Sequence, residues 1–251
     1  MKRFFDQELD GFRSNLNRMG KLAIGNVEAA VKALLENNAK QAKIIVKKDD
    51  EIDDLEVKID HEAVRYLSLR SPLARDLRLV TICMKISHDL ERVGDEATAI
   101  AKRAVKFADR SPITDFFTIP RMLDLTLDML RDSFDSFVNN DADKAHKLFV
   151  RDRIINDLHH ENSNAIKAHI QENPASAFEG IELLFVSKSL EKIADHATNI
   201  GEEVIFLVSG EDLRHTDETS RSRNKSPKKA AKTNTKPAKK KTVKKQDTPV
   251  R

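Results

Sequence analysis

The residues of this 251-residue chain with the most chemical potential are carboxylates that recur in register. The phrase Leu90-Glu91-Arg92-Val93-Gly94-Asp95 is answered one hundred positions later by Leu190-Glu191-Lys192-Ile193-Ala194-Asp195. On a helix, each phrase sets two like charges on neighbouring turns, at a cost of roughly 0.2–0.5 kcal/mol. With 41 acidic residues, chance alone supplies about seven such pairs, so the repetition carries the signal and a single pair does not. Carboxylates gathered in a groove repel one another unless a cation joins them. An all-oxygen set suits Mg²⁺, Mn²⁺, Ca²⁺ or iron, and the lack of Cys and His in the acidic lines disfavours tetrahedral zinc. The plain alternative is a solvated helix face in a chain that is 34% charged.

Helical phase decides which way these groups point. At about 100° per residue, Leu90, Val93, Ala97, Ile100, Ala101 and Ala104 form one apolar stripe, and Glu91 and Asp95 lie on the opposite side. Leu190, Ile193, Ala197, Ile200 and Val204 repeat the stripe, with Glu191, Asp195 and Glu202 as its outward acidic line. Upstream, Ile45, Ile52, Leu55, Ile59 and Ala63 make a second stripe flanked by Asp49, Asp53 and Asp60. Two such acidic lines on adjacent helices could converge at a groove.

The repeat is larger than the phrase. Ala39, Ala42, Asp49, Ile52, Asp54 and Leu55 match Ala142, Ala145, Asp152, Ile155, Asp157 and Leu158 at a constant shift, which defines a duplicated unit of about one hundred residues. There is no Trp and one Tyr, hairpin signals are missing, and Leu, Ala, Lys, Glu and Asp dominate, an all-α profile. The expectation is two tandem antiparallel three-helix bundles. Their six helices are read from Phe4 to Asn37, Ala39 to Leu69, Pro72 to Phe107, Arg121 to Asn139, Asp141 to Glu172 and Pro174 to Ser209. Ser71-Pro72 and Asn173-Pro174 read as an N-cap followed by a first-turn proline. Residues 1–112 and 113–215 are the two repeats.

Residues 216–251 hold 13 Lys and Arg against 3 acidic residues, or +10, which leaves 31 basic against 38 acidic residues, or −7, on the body. This Lys/Ala/Pro-rich tail has too little apolar surface to offset chain entropy and is expected to be disordered. It could serve as a solubilising appendage or make weak contact with nucleic acid or another anionic surface. The opening Met-Lys-Arg-Phe-Phe-Asp-Gln-Glu turns acidic too early for a secretory signal, and no apolar run is long enough to span a bilayer, so a cytoplasmic location is expected. Cys83 reads as a small core residue.

Several motifs together resemble the PhoU family of bacterial phosphate-signalling proteins. They are the Phe5 to Gly20 opening with Glu8, Leu9 and Met19-Gly20, the run from Arg65 through Pro72 with Ala74 and Asp76-Leu77-Arg78, and the two acidic phrases. Asn199-Ile200-x-Glu202 and the closing Gly210-x-Asp212-x-Arg214-His215 complete the set. The resemblance spans residues 4–215. It implies two three-helix bundles side by side, no catalytic turnover, and negative regulation of phosphate uptake and the phosphate-starvation response. It also implies coupling of the phosphate ABC transporter to a membrane sensor histidine kinase, a homodimer, and divalent or iron-type metal ions (Mg, Mn, Fe or Zn) on surface carboxylates. By position, the metal role falls on Asp49, Asp53, Glu91 and Asp95 in the first copy, and on Asp152, Glu191 and Asp195 with Asn156 in the second.

Asn156 stands where Asp53 stands in the first copy, and His196 replaces Glu96, so a weaker or differently loaded second site is expected. Arg65, Arg70, Arg75 and Arg78 surround Pro72, where they could hold an anion or pair with nearby acids. The adjacent His159 and His160 point to different faces, which favours a solvent role. Asp212, Arg214 and His215 could be a partner contact or a helix cap. Two other classes compete. A ferritin-like di-metal enzyme needs Glu-x-x-His pairs aimed into the core, and the chain has none; a nucleic-acid-tethered scaffold would act through the tail.

Overall fold

The computed structural model describes residues 6–107 and 115–210. Among them every regular element is helical: α1 (Asp6–Leu35), α2 (Ala39–Lys47), α3 (Asp49–Arg70), α4 (Ala74–Phe107), α5 (Ile119–Asn139), α6 (Ala142–His146), α7 (Leu148–Glu172) and α8 (Ala177–Ser209), with a 3-10 turn at Pro174–Ser176. The pairs α2/α3 and α6/α7 are long rods broken at one residue, Lys48 and Lys147, so the six expected helices are present with two interruptions. The second break falls one turn earlier in its repeat than the first. The basic tail, Pro112, and Asp212, Arg214 and His215 lie outside the described residues.

The duplication is visible in the punctuation. Asn37 and Asn140 each adopt a left-handed backbone with φ of 51°; Asn tolerates this conformation by bonding locally. The following residues then cap the next helix in both copies: Asn38 Oδ1 accepts from the Gln41 amide at 3.1 Å, and Asp141 Oδ1 accepts from the Lys144 amide at 2.9 Å. Pro120 sits in the first turn of α5, where its missing N–H costs nothing. Ser71 differs from its expected role. It closes α3 with φ of 45°, and α4 begins only at Ala74, since a residue before proline avoids the helical region. Asn173 precedes the 3-10 turn without a side-chain cap.

The apolar stripes face one continuous core. Leu90, Val93, Ala97, Ile100, Ala101 and Ala104 are buried, as are Leu190, Ile193, Ala197, Ile200 and Val204, and Ile45, Ile52, Leu55, Ile59 and Ala63. Within each repeat, α4 packs on α1, α2 and α3, and α8 packs on α5, α6 and α7. The repeats join where α4 runs beside α8 and α1 beside α5. Ion pairs stitch the first seam from end to end: Lys85 with Glu203 at 3.0 Å, Lys192 with Glu96 at 2.8 Å, and Lys106 with Glu182 at 3.0 Å. Their order shows that α4 and α8 run antiparallel. Cys83 is buried in the core, and burial pushes its thiol up to about 12. No helix among the described residues is long and apolar enough to cross a membrane.

Candidate metal-binding groove

In the first repeat, α3 and α4 lie side by side and bring their acidic lines together. Asp49 opens α3, and Gly94 on α4 gives room to the core side chain of Ile52, one turn along α3: a Cβ at Gly94 would sit 3.0 Å from Ile52 Cδ1, with Asp49 Oδ1 in ordinary contact at 3.6 Å. Burial and the charge of Asp95 hold the Asp49 carboxyl above its ordinary value, against the opposing influence of the Thr98 hydroxyl. Asp53 is raised by burial and then by Asp49 and Asp95, and Glu91 by burial and then by Asp95. These shifts across two helices show that the four residues share one electrostatic environment. Arg92 partly offsets it, with Nε 3.3 Å from Glu91 Oε2 and Nη1 3.0 Å from Asp95 Oδ2.

The pattern missed two neighbours. Glu56 and His88 join Glu91 in a cluster whose candidate ligand atoms lie within 4.8 Å of one another, and His88 Nδ1 is 3.1 Å from Glu56 Oε1. Glu56 continues the helical line of Asp49 and Asp53, so its membership was readable. His88 lies one turn before the Glu91 phrase, where the all-acidic pattern drew the eye away from it. Of the four residues expected in the first copy, Glu91 alone belongs to this cluster among the described residues; Asp49, Asp53 and Asp95 lie outside it.

The second repeat places the matching backbone in the same way but supplies different chemistry. Asp152 is only 3% exposed, and its Oδ2 accepts from Asn156 Nδ2 at 3.1 Å. Glu202 is also buried, at 8%. The burial of Glu202 corrects its outward-facing expectation, because neighbouring helices cover a position that phase on a lone helix leaves open, and the burial of Asp152 runs against the surface carboxylate that the resemblance implied. His159 occupies the place of Glu56 and is not a solvent residue. Its Nδ1 lies 2.8 Å from Ser187 Oγ, and burial lowers its pKa against the opposing charge of Glu191. Lys188 stands where His88 stands and forms an ion pair with Glu191. His196, the counterpart of Glu96, contacts Asp89 across the seam at 2.9 Å.

Two of the arginines near Pro72, Arg70 and Arg78, serve packing. Arg70 grips Glu8 with two hydrogen bonds of 3.0 and 3.1 Å, and Arg78 lies 5.2 Å above the Phe206 ring while donating to the Leu207 carbonyl at 3.5 Å.

A duplicated three-helix unit whose first copy gathers carboxylates along α3 and α4 defines a class of helical, two-repeat, carboxylate-bearing proteins. The PhoU domain model matches the chain twice, over residues 16–104 and 119–204, and the chain belongs to the PhoU family. A phosphate-specific transport system accessory protein PhoU homolog from Pseudomonas putida is 38% identical over 213 residues, covering 84% of this chain and 83% of its own length. One from Aquifex aeolicus is 35% identical, covering 83% and 95%. The crystal structure of PhoU from Pseudomonas aeruginosa aligns with a TM-score of 0.80 at 33% identity, over 82% of this chain and all of that one. The phosphate transport system regulatory protein PhoU from Streptococcus pneumoniae aligns at 0.78 and 29% identity, covering 83% and 98%.

Proposed function

We propose that this protein is a non-catalytic, cytoplasmic regulator that restrains phosphate uptake and keeps the phosphate-starvation response off when phosphate is plentiful. In this reading it bridges a phosphate ABC transporter and a membrane sensor histidine kinase, acts as a homodimer, and uses metal-bearing helical grooves as docking surfaces. The observation that carries it is the family match across both repeats, together with relatives named as accessory proteins of phosphate-specific transport. Metal loading is supported by the donor chemistry: Asp49, Asp53, Glu91 and Asp95 share a field that raises three of their pKa values, which is the condition a bound cation relieves. Such an ion would supply the positive charge that locks α3 to α4 and shapes the groove for a partner.

The test is a strain lacking this gene, grown in high phosphate and assayed for expression of phosphate-starvation genes. Derepression, reversed by the wild-type gene and by a version ending at residue 215, is the expected result. Continued repression in the deletion strain overturns the regulatory role, and complementation that requires residues 216–251 moves the function to the tail.

A further inference from the structure

Four helix ends meet at one pole of the molecule. Arg70, at the end of α3, bonds Glu8 in the first turn of α1, and α4 begins four residues beyond Arg70. Arg78, near the start of α4, donates to the Leu207 carbonyl, and a Cβ at Gly210, which closes α8, would lie 3.1 Å from Arg78 Nη1. Leu69, Leu73 and Leu77 stand exposed around the α3–α4 turn, and Val208 is exposed near the end of α8. At 73%, Leu73 is the most exposed large apolar side chain among the described residues. We propose that this pole docks on the surface of an anionic lipid bilayer, with Leu69, Leu73 and Leu77 entering the interface and the basic residues of 216–251 supplying the electrostatic attraction.

The turn holds its leucines outward through its backbone. Ser71 closes α3 with φ of 45°, Pro72 fixes its own φ, and the Leu73 carbonyl accepts the Leu77 amide at 2.9 Å, which places both side chains on one face of α4. A cluster of exposed apolar side chains marks a contact surface, and charge identifies what it contacts. Residues 65–78 hold four arginines against one acid, Asp76, while α1 brings Glu8 and Asp10 to the same pole. The pole itself is therefore close to balance. The decisive charge is the +10 of residues 216–251, which follow Gly210 by a few positions, and Met1-Lys2-Arg3-Phe4-Phe5 leads into α1 beside them. A basic segment next to apolar side chains suits an anionic membrane surface: either contact alone is weak, and the two together give stable residence. Nucleic acid would use the charge and leave the leucines in water. The acidic lines of the body do not oppose an end-on approach, since Asp49 and Asp95 stand 21 residues back along α3 and α4. That is roughly 30 Å at 1.5 Å per residue, several times the Debye length of about 8 Å. Because no described helix is long and apolar enough to cross a membrane, the contact is peripheral.

The experiment is flotation of the full chain with vesicles of phosphatidylcholine containing about 30% phosphatidylglycerol, with pure phosphatidylcholine vesicles as the control. Binding is expected on the anionic vesicles only, and its affinity should fall at least about tenfold between low and high salt. A chain ending at residue 215 is expected to lose at least about tenfold in affinity and most of the salt dependence. The double variant Leu73→Ser, Leu77→Ser, checked for native helicity by circular dichroism, should keep the salt dependence and lose about fivefold or more at every salt concentration. A nitrobenzoxadiazole label on Leu73→Cys should brighten and shift blue on anionic vesicles. The same label on Val57→Cys, roughly 20 Å back along α3, should not; the native Cys83 is buried. Absent vesicle binding, or equal binding to uncharged lipid, overturns the proposal. So does vesicle binding with a silent Leu73 label or an undiminished serine variant, because residues 216–251 would then be the sole contact. A Leu73 label that responds to protein concentration without vesicles assigns the pole to an interface between copies of this chain and overturns lipid docking.

Discussion

Asn156 donates its amide to the buried Oδ2 of Asp152 across one helical turn at 3.1 Å. This contact occupies the position where the first repeat sets Asp49 and Asp53, two carboxylates, on successive turns. Asn156→Asp would replace a donor with a like charge beside a residue that is 3% exposed. The expected cost in metal-free protein is about 1–3 kcal/mol, read by urea denaturation at neutral pH. An undiminished midpoint would mean that the buried carboxylate does not depend on the amide.

The first repeat predicts the opposite sign. Asp53 is held above its ordinary value of 3.8 by burial and by Asp49 and Asp95, and Glu91 above 4.5 by burial and Asp95. A raised folded-state pKa means that ionisation opposes folding. The contribution of these groups is fully present below their unfolded values and is lost as pH rises through the raised folded ones. Asp53→Asn should therefore raise the melting temperature of metal-free protein at pH 7, and the gain should shrink as pH falls through the raised folded value and vanish below about pH 3, where the wild-type carboxylates are protonated in both states. Saturating Mn²⁺ should reverse the order, because deprotonated carboxylates are the ligands and the ion binds the folded state. Calorimetric scans across pH, with and without Mn²⁺, check both halves; an equal gain at pH 4 and pH 7 would sink the repulsion account.

Much of this could be read from the residues, and the failures have identifiable causes. The apolar stripes of α4 and α8 followed from a 3.6-residue period, which survives folding because burial drives it. The breaks at Lys48 and Lys147 could not be read, since Lys suits a helix interior and neither Gly nor Pro stands at either break. The burial of Asp152 and Glu202 depends on how neighbouring helices cover them, which phase on a single helix does not contain. Lys188 and His159 were within reach: extending the two repeat shifts to every chemically active position places them opposite His88 and Glu56.

Gly20 on α1 and Phe134 on α5 meet closely where the repeats join. A Cβ at Gly20 would lie 2.3 Å from Cζ of the Phe134 ring, which is itself buried. A ring cannot fold away as the end of a flexible chain can, so α1 and α5 would have to part. Gly20→Ala should destabilise by about 1–3 kcal/mol despite the better helix propensity of Ala. Phe134→Leu should cost less in the Gly20→Ala background than in wild type, with a coupling of at least about 0.5 kcal/mol in a double-mutant cycle. Additive effects would place the strain elsewhere.

Glu182 ties the other seam. Its side chain, 10% exposed, accepts from Lys106 Nζ at 3.0 Å and lies 3.5 Å from Arg103 Nη1, while the Arg103 guanidinium covers the Phe185 ring at 4.6 Å. The first repeat has Ile82 at the matching place, buried in its core, so the carboxylate belongs to the junction and not to the repeat itself. Glu182→Ala removes the acceptor for two cations. Lys106 can turn to water, but Arg103 is pinned by its aromatic contact, so the expected loss is about 1–2 kcal/mol, below the ~3–5 kcal/mol of a fully enclosed pair. Because the pair joins α4 to α8 and leaves the packing within each repeat intact, faster amide exchange should appear in the last turns of α4 and the first turns of α8, with little change in α1 or α7. Exchange that rises evenly over all helices would show instead that Glu182 supports the whole fold.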